Sequence, residues 1–157
     1  MTLFFGITIN AVIREEAAKD ALDPIYRSVP GVGTLTARVL SSELGDMSRF
    51  SSGKKVASYV GLVCSERSSG ESRKLGRISK RGKPHLRFIL IQAAWGAVRR
   101  STEFKELYKR LAHRMGAKKA IVAVARRMLV MLRALLKQRV HFSAELLRAT
   151  LGEVTPA

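Results

Sequence analysis

Serine and basic side chains are concentrated in one segment of the chain, residues 61–82, and at Lys83 directly after it. Its basic residues, opposed only by Glu66 and Glu71, are Arg67, Arg73, Lys74, Arg77, Lys80 and Arg81; four of its serines, Ser65, Ser68, Ser69 and Ser72, stand among them. A serine hydroxyl among guanidinium groups can attack a phosphodiester while the arginines stabilise the charge that builds on phosphorus. The alternative, which spacing alone favours, is a flexible basic loop that is solvated or lies on a polyanion.

A second segment carries the glycines of a tight turn. Val29-Pro30-Gly31-Val32-Gly33, followed by Thr34, resembles the turn of a helix-hairpin-helix motif. Glycines let the backbone approach a phosphate closely, and the N–H groups that open the second helix point towards it. We therefore expect Gly31, Gly33 and Thr34 to contact a nucleic-acid backbone without reading its sequence. The alternative is a plain helical hairpin whose glycines only form the corner.

The charge balance points to a polyanionic partner. Twenty-nine Lys and Arg against twelve Asp and Glu give a net charge of +17, and self-repulsion of that size is relieved by a polyanion. Nucleic acid is the first expectation and an anionic membrane surface the second. Acidic residues are scarce after Glu106, so the later helices are expected to share one electropositive surface or to present solvated faces. Their basic residues are Arg99, Arg100, Lys105, Lys109, Arg110, Arg114, Lys118, Lys119, Arg126, Arg127, Arg133, Lys137 and Arg139.

Other classes of site find little support in the residues. Cys64 is the only cysteine, and the three histidines lie far apart in sequence, so no zinc site is expected. The carboxylates do not form a converging set such as two-metal nuclease chemistry needs, and we predict no metal ligands. The uncharged stretch before Arg14 is too short to span a bilayer and lacks the basic start of a signal peptide. We expect a cytoplasmic protein without a membrane partner.

Apolar periodicity predicts a mainly α fold. The expected order is a helix-hairpin-helix over 25–45, a basic irregular loop or short β-hairpin over 61–82, and a bundle of longer helices over 83–139. Residues 1–24 form a poorly determined lead-in: Met1 to Ile13 show no clear period, and Glu15 to Tyr26 look helical. The predicted helix caps are Thr34, Ser51 or Ser52, and Ser101. The domain is expected to end near residue 142, followed by a tail over 143–157.

The order of short motifs is similar to the C-terminal domain of the IS110, IS116 and IS902 insertion-sequence transposases. The resemblance covers about 25–142. Besides the glycine turn, its motifs are Glu43-Leu44-Gly45-Asp46, Arg49-Phe50, Ala57-Ser58-Tyr59-Val60-Gly61-Leu62, Ser68-Ser69-Gly70, Gly76-Arg77-Ile78-Ser79-Lys80-Arg81-Gly82, Leu86-Arg87, Ala93-Ala94-Trp95 and Ala125-Arg126-Arg127. The resemblance implies DNA recombination that mobilises an insertion sequence, in some members with a guide RNA.

The family's active site is composite, which sets the expectations for this chain. An N-terminal RuvC-like domain supplies an Asp-Glu-Asp-Asp site for Mg²⁺, and the C-terminal domain supplies a serine, by position Ser69, with Ser68 as runner-up. Cys64 stands where the family commonly has proline, so the backbone at the start of the loop is expected to be less constrained.

Only about two dozen residues precede the glycine turn, so we expect the RuvC-like half and its Mg²⁺ to be absent and the chain to be inactive alone. The expected partners are DNA, a guide RNA, a second copy or a full-length transposase. The alternative function is a non-catalytic helix-hairpin-helix module that binds nucleic acid.

Overall fold

The computed structural model describes residues 2–69, 72–78 and 81–150, with side chains described for residues 6, 8–63 and 81–149. Within these ranges the fold is mainly α, as expected. The elements are α1 (Thr2–Lys19), α2 (Asp23–Ser28), α3 (Thr34–Leu44), α4 (Gly53–Val60), β1 (Cys64–Ser69), β2 (Ser72–Ile78), α5 (Pro84–Arg100), α6 (Thr102–Met115), α7 (Ala117–Gln138) and α8 (Ala144–Thr150).

Helices α5, α6 and α7 pack against one another and form the centre of the core. Pro84 starts α5, where its missing N–H costs no hydrogen bond. The Ser101 hydroxyl caps α6 by accepting from the Phe104 N–H, which confirms the predicted cap. Ten residues of α7 are buried, and they recur at helical spacing from Ala120 to Leu136. Burial of this apolar stripe is the main stabilisation of the bundle.

Hydrogen bonds as well as packing connect the shorter helices to one another and hold the segment before α4 against the bundle. The buried Tyr26 of α2 donates its hydroxyl to the Gly45 carbonyl at 2.6 Å, and this links α2 to the end of α3. Arg133 of α7 donates from two nitrogens to the Phe50 carbonyl at 3.0 and 3.1 Å. Ser52, one of the two predicted caps, accepts from the Lys55 N–H at the start of α4. The chain before α5 is thus held against α7 near the start of α4.

The N-terminal segment differs from the expectation. Residues 2–19 form one helix, whereas the sequence predicted a helix over Glu15 to Tyr26. That predicted helix is interrupted because the Asp20 carboxylate accepts the Leu22 N–H at 2.9 Å and turns the chain. A new helix, α2, then begins at Asp23 with Pro24 in its first turn. The end of α1 is fixed to the body through the buried Ala17 and by packing against α3.

The expected cap at Thr34 is wrong. Gly33 holds the N-cap position of α3, with φ −88°, and no side chain caps this helix. The Gly33 carbonyl accepts the Ala37 N–H at 2.9 Å, and Thr34 is already the first helical residue. The sequence signal fails because Thr34 lies one position inside the helix, where its hydroxyl cannot serve as the N-cap acceptor.

Asp20 joins the end of α1 to α3. Its carboxylate accepts from Arg38 at 2.8 Å and from the Ser41 hydroxyl, both of which lie on α3. Burial opposes ionisation, but the hydrogen bonds from Ser41 and Leu22 and the positive charge of Arg38 outweigh it and lower the pKa of Asp20. Because the folded-state pKa lies below the ordinary value, the ionised carboxylate stabilises the fold at neutral pH.

The variant Asp20→Asn is expected to lower the free energy of unfolding at pH 7 by about 1–3 kcal/mol, because Arg38 loses its charged partner. The stabilisation by Asp20 decreases as the pH falls from the ordinary pKa of 3.8 through the lowered pKa of the folded state, so the difference between the two proteins should shrink in acid. Urea unfolding at pH 7 and near pH 3 measures both effects. Glu16→Gln is the control, since Glu16 and its partner Lys19 are exposed and their ion pair contributes little. A deficit that persists unchanged in acid contradicts the electrostatic explanation.

Candidate nucleic-acid interface

The turn between α2 and α3 is fixed against α5 at Gly31. Gly31 has φ +87°, and a Cβ added there would lie 2.1 Å from the Ala93 carbonyl oxygen and 2.5 Å from the Ala97 nitrogen. Gly96 faces it on α5, where an added Cβ would lie 3.0 Å from the Gly31 Cα. The turn therefore lies directly on the backbone of α5, and Gly31 is required for this close approach.

Gly33 occupies the open side of the same turn. It is exposed, and an added Cβ would meet nothing within 4 Å. It precedes the first turn of α3, whose N–H groups carry the positive end of the helix dipole and lack a side-chain cap. Of the three turn residues that the sequence singled out, Gly31 therefore faces the core, whereas Gly33 and the partly exposed Thr34 lie towards solvent.

The basic serine segment begins and ends at two glycines that touch. A Cβ at Gly61 would lie 2.3 Å from the Arg81 carbonyl oxygen, and one at Gly82 would lie 2.7 Å from the Gly61 nitrogen. Both residues have positive φ, +85° and +120° respectively. The end of α4 and the chain entering α5 are thus in backbone contact, and this contact closes the base of the segment between them.

The intervening strands β1 and β2 are antiparallel, and their register sets the serine and basic positions beside one another. Arg67 is opposite Lys74, Ser68 is opposite Arg73, and Ser69 is opposite Ser72. The register shifts between Cys64 and Glu66, at the entry to the hairpin. Ser69 is the last residue of β1, and Arg77 lies near the end of β2. Lys80 lies outside the described residues.

Lys83 belongs to a network at the base of the hairpin. Its ammonium group donates to Glu43 of α3 at 2.7 Å and lies 5.4 Å from the centre of the Tyr59 ring. His85 lies 3.3 Å from the other Glu43 oxygen. Lys83 is a predicted nucleic-acid contact; in the structure its ammonium group is paired with a carboxylate, and it joins α3, α4 and the start of α5.

Arg49 completes this network from the chain between α3 and α4. Its guanidinium group lies 4.8 Å from the centre of the Phe50 ring and 5.0 Å from that of the Tyr59 ring, and it donates to the Glu43 carbonyl at 2.9 Å. Two aromatic faces and a carbonyl therefore hold an exposed guanidinium group in place. Sequence reasoning from chemistry missed Arg49 and Tyr59. The sequence did single them out in one way, because Arg49 and Tyr59 each belong to a motif that carries the family resemblance.

The electrostatics of the network favour its charged forms. The hydrogen bond from Lys83 lowers the pKa of Glu43, and the same bond raises the pKa of Lys83. Lys83 also lowers the pKa of the Tyr59 hydroxyl, with a smaller contribution from Arg49. Two cations thus lie near one phenol hydroxyl beside the closed base of the hairpin, and both favour its ionised form.

Within the part of the chain that the structure describes, no three His, Cys, Asp or Glu side chains gather where they could hold a metal ion. These residues therefore do not fit the Mg²⁺ site that the family implies, and no step is assigned to a metal on them. Among the described helices, none is long and apolar enough to cross a membrane.

Comparison with known sequences identifies the family. The model of the transposase IS116/IS110/IS902 family matches residues 23–109, which include the glycine turn, the serine hairpin, α5 and the first half of α6. The chain belongs to this transposase family.

Individual relatives agree with this assignment. The transposase for insertion sequence element IS1111A of Coxiella burnetii is 37% identical over 117 residues, 72% of this chain and 32% of the relative. The insertion element IS110 43.6 kDa protein of Streptomyces coelicolor is 28% identical over 88% of this chain and 33% of the relative. The pilin gene-inverting protein of Moraxella bovis is 32% identical over 75% of this chain and 38% of the relative. The chain thus spans less than two fifths of the length of each of these three relatives.

The glycine turn of this transposase domain can be tested by a matched pair of variants. Gly31→Ala is expected to lower the free energy of unfolding by about 2–5 kcal/mol, because it combines a left-handed backbone with overlap on α5. Gly33→Ala has open space and negative φ, and should cost about 1 kcal/mol or less. Urea unfolding of both variants measures the difference. Equal losses would contradict the close contact with α5.

Proposed function

We propose that this domain binds DNA and supplies a serine nucleophile for transposition of an insertion sequence. The observation that carries the proposal is the register of the hairpin, which sets Ser68 and Ser69 among Arg67, Arg73 and Lys74 in a chain of this transposase family. Backbone contact at Gly61 and Gly82 supports it, because a closed base fixes where the hairpin leaves the body. The exposed start of α3 at Gly33 offers a further contact for backbone phosphates.

In the proposed reaction Ser69 is the nucleophile and Ser68 the alternative. The serine hydroxyl gives up its proton, its oxygen forms a bond to phosphorus, and one ester oxygen of the DNA leaves and takes up a proton. The number of phosphoester bonds is unchanged, so no outside energy source is needed. Arg67, Arg73 and Arg77 then stabilise the charge on the phosphoryl oxygens. Mg²⁺ is proposed to act in a RuvC-like domain outside the described residues, since these offer it no ligand set.

Binding is tested by the salt dependence of DNA affinity. We expect the chain to bind duplex DNA with weak sequence preference, and six to ten phosphate contacts should cost about 10³–10⁵ in affinity between about 50 and 200 mM salt. Fluorescence anisotropy with two unrelated duplexes measures both properties. Duplex RNA serves as a competitor, and its preferential binding would favour an RNA partner. A flat salt response would contradict a large phosphate footprint.

The nucleophile is tested by trapping a covalent protein–DNA adduct in the presence of Mg²⁺ and a RuvC-like domain supplied in trans. Ser69→Ala is expected to abolish the adduct and retain DNA binding, whereas Ser68→Ala, the matched control, should retain both. The reverse pattern would assign the role to Ser68, and an undiminished adduct in both variants would reject the serine proposal. If the wild-type chain binds DNA and forms no adduct, the non-catalytic binding module is the better function.

A further inference from the structure

Four arginines gather on helices α6 and α7. Arg110 and Arg114 are exposed and lie one turn apart on α6, and Arg126 and Arg127 are adjacent on α7. The two helices are joined through Gly116 alone and pack against each other, so the four arginines lie on neighbouring helices. Arg126 is exposed, whereas Arg127 is only partly accessible. Burial, followed by the positive charges of Arg110, Arg114 and Arg126, lowers the pKa of Arg127.

Few acidic side chains are available to this cluster. Neither α5 nor α7 contains Asp or Glu, and α6 contains only Glu103 and Glu106. Glu103 accepts from Ser101 and pairs with Arg148 of α8. Glu106 lies one turn before Arg110. In the described ranges the arginine ion pairs are those of Arg27, Arg38, Arg139 and Arg148, and none includes a cluster member.

Such an arrangement opposes folding. Partial burial of a guanidinium group costs hydration, and like charges beside it add repulsion; none of the arginine ion pairs in the described ranges involves the cluster. A phosphate chain supplies the missing negative charge, and arginine can bind phosphate with two parallel hydrogen bonds. The cluster is therefore better matched to a polyanion than to the isolated fold.

Another basic part of the surface matches a phosphate chain less well. A cavity of about 330 Å³ lies between the 46–51 segment and the end of α7. Of its cations, Arg133 donates to the Phe50 carbonyl and Arg139 pairs with Asp46 at 3.7 Å. These contacts hold the chain before α4 against α7 and give the cavity's arginines a structural role; among the described residues no such hydrogen bond or ion pair involves the four-arginine cluster.

The neighbouring aromatic residues favour a double-stranded partner. Proteins that bind single strands stack bases on exposed aromatic rings. On α6, Phe104 is buried and Tyr108 packs against Trp95 with ring centres 5.3 Å apart. Helix α7 has no aromatic residue. The cluster thus offers charge without a stacking surface, which suits the backbone of a duplex.

We propose that Arg110, Arg114, Arg126 and Arg127 form a second phosphate-binding surface, which holds the backbone of duplex DNA in addition to the contacts at the serine hairpin. This inference rests on the proposed DNA binding and adds a surface to it that lies on α6 and α7. It also gives a function to a group of arginines whose mutual repulsion lowers the stability of the fold in the absence of DNA.

The double variant Arg110→Gln/Arg114→Gln tests the surface, since both side chains are exposed and their replacement leaves the core intact. The slope of log affinity against log salt should decrease by about 0.9 for each phosphate group that the variant no longer binds. Arg139→Gln/Arg148→Gln removes the same charge from exposed arginines that pair with acids, and should leave the slope unchanged. Equal decreases in both double variants would show a general charge effect and overturn the proposal.

A second variant separates binding from stability. Arg127→Met should raise Tm, because it removes a half-buried charge and its repulsion, and should weaken DNA binding. A lower Tm in this variant would contradict the proposed repulsion. If the wild-type chain does not bind DNA, the proposed function fails; if it binds DNA and the α6 variant keeps its full salt slope, only the second surface fails. A defect confined to the binding of duplex RNA would also overturn the assignment to DNA.

Discussion

Direct contact between backbone segments is the constraint on which this structure depends. At Gly31 the turn between α2 and α3 touches α5, and at Gly61 and Gly82 the end of α4 touches the chain entering α5. No residue with a Cβ fits these positions without displacing backbone. Helix α5 is therefore the common reference for the glycine turn and for the base of the serine hairpin. The glycine turn and the base of the hairpin are far apart in sequence, but their relative position is fixed because both lie against α5.

The few acidic residues are used mainly to hold elements together. Asp20 joins the end of α1 to Arg38 and Ser41 of α3, and Glu43 joins α3 to Lys83 and His85 at the base of the hairpin. Glu103 pairs with Arg148 and so links α6 to α8. Because these carboxylates are engaged in such links, they do not offset the arginines of α6 and α7. The net charge of the chain does not distinguish the cations that are paired with carboxylates from those that are not, and only the structure shows which are which.

Much of the helical fold could be predicted from local signals. Pro84, Ser101 and Gly116 are residue types that favour helix ends, and they lie at the ends of α5, α6 and α7. The apolar residues of α7 recur at helical spacing, so this helix could be predicted from the sequence. The break at Asp20 could not be predicted in this way, because a side chain there competes with the helix for a backbone N–H. The cap at Gly33 was missed because a favourable threonine follows it directly. Helix α1 was missed because its apolar residues show no dominant face.

The candidate site was less predictable, since its organisation depends on contacts between distant segments. Charge counting singled out Lys83 as a candidate nucleic-acid contact, but its pairing with Glu43, forty residues earlier, is a tertiary contact that no local pattern predicts. Arg49 and Tyr59 carry no signal as isolated residues, because their relation arises only when the segment after α3 lies beside α4. Likewise, the sequence alone predicts that Gly31 contacts a phosphate. Its approach to α5 is determined by Gly96, which no local pattern connects to it.

The position of the hairpin is consistent with a reaction shared between domains. Strands β1 and β2 pair with each other, and the chain is fixed at Gly61 before β1 and at Gly82 after β2. Ser69 is the last residue of β1 and is paired with Ser72, at the end of the hairpin opposite this closed base. The acids that a metal-dependent step requires do not gather in the described helices. In the proposed function, therefore, a serine on a well-anchored ribbon and phosphate contacts on α6 and α7 bring DNA to a partner domain that supplies the remaining groups.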